Sequence, residues 1–156
     1  MMEQPGKRYS QVKQVVILIV LLALIASLVW LSPAEQTLGD VVKLIYLHGA
    51  LARTGLVAFG AAGLLGLAAL VAPRPSLAAW CDAAGKAALA IWIVYALSSA
   101  ISTYMAWGVL VAWGEPRVVD SVQVLAAALL IAGVNHFVAH PRFTAATNLL
   151  LGGLAW

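Results

Sequence analysis

Residues 15–31 read VVILIVLLALIASLVWL, seventeen consecutive positions without a charge. A helix that is apolar all round offers no face to water, and a hydrocarbon core of about 30 Å takes about 20 such residues to cross. Lys7, Arg8 and Lys13 precede the run and Ser32-Pro33-Ala34-Glu35 follows it, so the charges stand where the chain returns to water. The same alternation continues outward. Glu35, Asp40 and Lys43 lie before the second apolar run, Arg74, Asp82 and Lys86 before the third, and Glu115, Arg117 and Asp120 before the fourth, with Arg142 after it. This pattern predicts an all-α fold: an integral membrane bundle of four transmembrane helices plus a short fifth apolar segment. The spans fall at about 14–31, 46–71, 87–111 and 119–138, and residues 32–46 read as a polar linker able to hold a short interfacial helix. After the break at Pro141, residues 143–156 are too short to span securely. They read as a half-helix, an interfacial helix or a span completed by a partner.

Composition agrees. Charged residues make up 10% of the 156 positions and hydrophobic ones 63%, against about 25% charged in an average soluble domain. That balance implies one transmembrane domain over 1–156, immersed in a lipid bilayer. No basic stripe points to nucleic acid. The single cysteine, Cys81, excludes an internal disulfide or a paired-thiol motif and reads as an inert thiol in a short loop. The basic start resembles a leader, but Ser32 to Glu35 is a poor cleavage site and the first run is long enough to stay as a helix. Lys and Arg favour cytoplasmic loops. They accumulate at the N-terminus, between spans two and three, and after span four. The expected topology is therefore multi-pass in the cell inner (plasma) membrane with the N-terminus cytoplasmic.

Chemistry must reside in the few polar groups these runs tolerate. His48, in Ile45-Tyr46-Leu47-His48-Gly49-Ala50 at the mouth of span two, can ligate haem iron or a metal, or bond a quinone carbonyl. It can equally be an interfacial histidine bonded to backbone or water. Arg53 lies deeper, where arginine is costly and usually paired or functional. It reads as snorkelling outward, as paired with Glu115 or Asp120, or as neutralising a haem propionate. Trp107 and Trp113 suit an interfacial aromatic belt or a shelf for a flat apolar ligand, with Arg117 facing its carboxylates. His136 and His140 have metal-chelating spacing, but no carboxylate stands near them in sequence, and a solvated polar helix end is the simpler reading. Ser98, Ser99, Ser102 and Thr103 can bond back to their own helix. Gly55, Gly60, Gly63 and Gly66 in span two form a small-residue face that lets helices approach closely, a surface that needs covering by protein.

Taken in order, Tyr46-Leu47-His48 at a helix mouth and Trp107-Gly108 through Trp113 to Glu115-Pro116-Arg117-Val118 in the next outer loop resemble the haem-handling cytochrome c assembly proteins of the CcmC/CcsA type. Those proteins carry a Tyr-Leu-His run and a tryptophan-rich loop closed by Trp-Asp-Pro-Arg-Leu. Here Leu110 and Val111 stand for two of the family tryptophans, Glu115 for its aspartate and Val118 for its leucine. The resemblance covers about residues 15–140. It implies His48 as an axial ligand to haem iron and Trp107, Trp113 and Arg117 as the haem shelf. The family's second outer histidine has no counterpart in residues 1–156. Two functions follow as expectations: a haem-binding protein of cytochrome c assembly, or a non-catalytic subunit of a larger respiratory or photosynthetic electron-transfer complex, with other membrane subunits as partners. A quinone anchor ranks below both. No nucleophile–base or carboxylate pair suggests an enzyme.

Overall fold

The computed structural model describes residues 5–156, with side chains from Gln11 onward, so Lys7 and Arg8 lie outside the described side chains. The fold is all-α: α1 (Pro5–Leu31), α2 (Val41–Val71), α3 (Pro75–Trp107), α4 (Pro116–Val138) and α5 (Pro141–Ala155). Among the described residues there is no strand, and the first four helices are long and apolar enough to cross a membrane. The chain divides into two compact units, Met1–Tyr46 and Leu47–Trp156.

α1 starts at Pro5, ahead of the expected start at 14, and three further helix limits differ from the sequence reading, each for a local reason. The stretch read as a separate interfacial helix is the first turn of α2, which starts at Val41. The third helix starts at Pro75, not near 87, because proline is preorganised for a first helical turn and the alanines that follow favour helix. Cys81, Asp82 and Lys86 are therefore helical residues. Asp82 and Lys86 pair at i,i+4 with a 2.6 Å contact, and Cys81 is buried in α3 instead of lying in a loop. At its other end α3 stops at Trp107, where Gly108 takes the left-handed conformation (φ 74°) and donates its N–H to the Tyr104 carbonyl.

In the first unit α1 is apolar all round from Val15 to Leu31, and no residue from Gln11 to Leu31 is buried. The turn after it is held by Glu35. Its carboxylate accepts from the Thr37 hydroxyl and from the N–H groups of Thr37 (3.0 Å) and Leu38 (2.8 Å), which holds it below the usual glutamate range. Gly39 closes the turn at φ +55°, with its N–H on the Glu35 carbonyl at 2.8 Å.

In the second unit α2 runs antiparallel to both α3 and α5. The α2–α5 seam explains the glycine pattern. A Cβ at Gly60 would meet the Trp156 indole at 3.1 Å, one at Gly63 would meet Gly152 Cα at 3.3 Å, and one at Gly66 would collide with the Ala145 carbonyl. The cover expected for that face is thus α5 of the same chain. The fifth segment is a helix of 15 residues, about 22 Å long, packed against α2, α3 and α4. Two of its polar side chains bond across helices. Asn148 Nδ2 donates to the Cys81 carbonyl at 2.9 Å, and Asn135 Nδ2 to Thr147 Oγ1 at 3.1 Å. The apolar core at the other end gathers Phe59, Trp92, Tyr95 and Val124, with the Trp92 indole donating to the Ser121 carbonyl at 3.1 Å.

Candidate functional site

On α3, Trp92, Tyr95, Ser98 and Ser102 recur at three- and four-residue intervals and form one buried stripe. His48, near the start of α2, meets this stripe. Its imidazole stacks on Tyr95 with centroids 4.7 Å apart and planes 16° apart, and its Nδ1 lies 3.2 Å from Ser98 Oγ. Tyr95 in turn packs against Trp92 at 4.6 Å, which meets Phe59 edge-on at 5.6 Å.

The bonding favours one tautomer. Ser98 donates its hydroxyl proton to the Tyr95 carbonyl at 2.7 Å, and Ser102 donates to the Ser98 carbonyl at 2.7 Å. With that proton so placed, Ser98 Oγ accepts from His48 Nδ1–H and the lone pair resides on Nε2. The ring is half-buried. Such a histidine can accept one further bond, from a metal or from a donor hydrogen.

The other four candidates do not join it. Arg53 is five residues on, about 140° around the helix. It is exposed and forms no ion pair with Glu115 or Asp120 among the described residues. Trp107 and Trp113 are 63% and 64% exposed, and Arg117 is exposed without an ion pair. The seat of His48 at Ser98 is nine residues from Trp107 along α3, about 13.5 Å of helix axis. The site thus comprises His48, Tyr95 and Ser98, with Trp92 behind. Tyr95 escaped the sequence reading, and Ser98 was expected only to bond back to its own helix, which it does at 2.7 Å while also meeting His48. No cluster of three metal-ligating side chains occurs among the described residues. His136 and His140 are both exposed.

In comparisons with known proteins, no family model, no curated protein and no solved structure matches the chain.

Proposed function

We propose that this multi-pass membrane protein handles haem, in the manner of the cytochrome c assembly proteins it resembles, with His48 as a single axial ligand. One observation carries the reading: His48 Nδ1 lies 3.2 Å from Ser98 Oγ, which leaves Nε2 as the ring nitrogen for a ligand. Haem iron takes a neutral imidazole nitrogen whose opposite N–H is anchored by a hydrogen bond, and His48 fits that requirement. Bound haem would supply an iron centre open to a second ligand. The chain's own residues bind and present it and carry out no bond-making step. Ser98 sets the ring's rotation and Tyr95 its plane. Trp113 contributes only if the loop of residues 108–115 folds toward His48 on binding, and Trp107 and Arg117, on α3 and α4, only if those helix ends move with it.

Their distance from His48 favours a second reading, a non-catalytic subunit of a larger electron-transfer membrane complex in which His48 is a structural contact between α2 and α3. Absorption spectra of purified protein titrated with haem separate the two. The first expects a Soret band that His48→Ala removes and His136→Ala leaves in place. Absence of the band in wild type, or its persistence in His48→Ala, overturns it.

A further inference from the structure

At the opposite end of the second unit from His48, a cleft of about 660 Å³ opens between the first turns of α3, the last turns of α4 and one face of α5. Its size lies within the roughly 300–1,000 Å³ of small-molecule sites. The lining residues of α5 are Pro141, Thr144, Asn148 and Leu151, whose three- and four-residue spacing puts them on one side of the helix. Leu89, Ile131 and Leu151 make the wall beyond Asn148 apolar. Most polar groups of the wall are already engaged. Lys86 and Asp82 neutralise each other at 2.6 Å, and Asn135 is bonded to Thr147 at 3.1 Å.

Asn148 is the exception. It is 5% exposed, and its amide nitrogen is turned to Cys81, 2.9 Å from the carbonyl and 3.2 Å from Sγ. That bonding settles which end of the amide is which, because the Cys81 carbonyl can only accept. Oδ1 lies instead against Gly85, where a Cβ would stand 2.6 Å from it, and Gly85 also lines the cleft. Among the described residues Oδ1 receives no hydrogen bond, and the Thr144 hydroxyl one turn away makes none. A buried acceptor without a donor is costly, so the occupant that suits this wall brings an O–H. Thr144 can donate to the same oxygen, and the apolar wall takes hydrocarbon. We propose that this cleft binds an uncharged lipid alcohol, its hydroxyl donating to Asn148 Oδ1 and accepting from Thr144 Oγ1 while its chain lies along Leu89, Ile131 and Leu151. The inference rests on the helices being membrane-embedded and is independent of haem.

The test uses the full chain, purified in mild detergent from phosphatidylcholine vesicles that hold equal amounts of tetradecanol, its methyl ether and tetradecanoate. Co-purifying amphiphile is counted by gas chromatography. The ether keeps the chain and the oxygen but has no hydrogen to give. Wild type should retain the alcohol over the ether about tenfold, the effect of one buried hydrogen bond. Thr144→Val removes a half-buried hydroxyl at nearly constant shape and should lower that preference severalfold, and Asn148→Leu should abolish it. Ala79→Trp, at an exposed lining position, should reduce retention of the alcohol while leaving the Thr144 and Asn148 groups in place. Equal retention of alcohol and ether by wild type overturns the proposal, because water alone then satisfies Asn148. A preference unchanged in Thr144→Val and Asn148→Leu, or full retention in Ala79→Trp, overturns it as well. Stronger retention of tetradecanoate than of the alcohol would put charge in control of the cleft, and the assignment to a lipid alcohol falls.

Discussion

The imidazole of His48 lies on the ring of Tyr95, 4.7 Å between centroids and 16° between planes, while its Nδ1 is held 3.2 Å from Ser98 Oγ. The stack sets the plane of the imidazole and the hydrogen bond sets its rotation within that plane. A side chain fixed in both respects aims Nε2 along one line. Loss of the anchoring partner of a ligating histidine typically weakens metal binding about 10- to 100-fold. Ser98→Ala should therefore weaken haem binding by that order in a Soret titration, and Ser98→Thr should restore most of it. Wild-type affinity in Ser98→Ala, alongside loss of binding in His48→Ala, would show that Ser98 positions nothing.

The α2–α5 seam gives a stability prediction. A methyl group at Gly66 collides with the Ala145 backbone carbonyl, and one at Gly152 meets the Phe59 carbonyl at 2.9 Å, whereas one at Gly153 has open space. Backbone cannot yield as a flexible side chain does, and overpacking costs about 1–3 kcal/mol. Gly66→Ala and Gly152→Ala should each lower stability in mild detergent by that amount. Gly153→Ala should stay within about 0.5 kcal/mol of wild type. Equal effects at Gly66 and Gly153 would contradict the packing described here.

Apolar runs were the legible part of this sequence, because a helix surrounded by hydrocarbon needs no tertiary partner to specify it. The four spans follow from that alone. Charges were a less faithful guide to helix ends. Asp82 and Lys86 suggested a loop, yet at four residues apart they neutralise each other on one helix face, and Pro75 was the better marker of the start. His48 was visible as a candidate, but its partners lie 50 residues away on α3, a separation no local pattern encodes. Trp107 and Trp113 drew attention by composition, although composition does not fix a distance from His48.

Orientation can be tested without any ligand. In a Cys81→Ala background, cysteine at Gln36 or Glu115 should react with an impermeant thiol reagent added from outside, and cysteine at Ser76 should react only after the membrane is opened. The expectation rests on Lys and Arg favouring cytoplasmic loops. The reverse labelling pattern would invert the proposed topology and put His48 at the inner face.

Glu35 predicts a local response to acid. The Thr37 hydroxyl, foremost, and the Leu38 and Thr37 N–H groups stabilise its charged form and hold its carboxyl below the ordinary 4.5. A group depressed on folding adds stability in full above its unfolded value and loses it as pH falls through the folded one. The turn from Glu35 to Gly39 should stay formed at neutral pH and loosen below 4.5. NMR titration in micelles should give a Glu35 midpoint under that value, rising toward it in Thr37→Val. A wild-type midpoint at or above it would remove the turn's pH dependence.

The polar groups of α5 have a consequence for biosynthesis. Asn148 finds its partner on α3, and before that helix is in place its amide would face lipid unpaired, at a cost of several kcal/mol. A nascent chain would therefore insert α2, α3 and α4 first, leaving open the slot that the glycines of α2 line. Only then does α5 have a favourable route inward, so that its entry reports that the other three are correctly assembled.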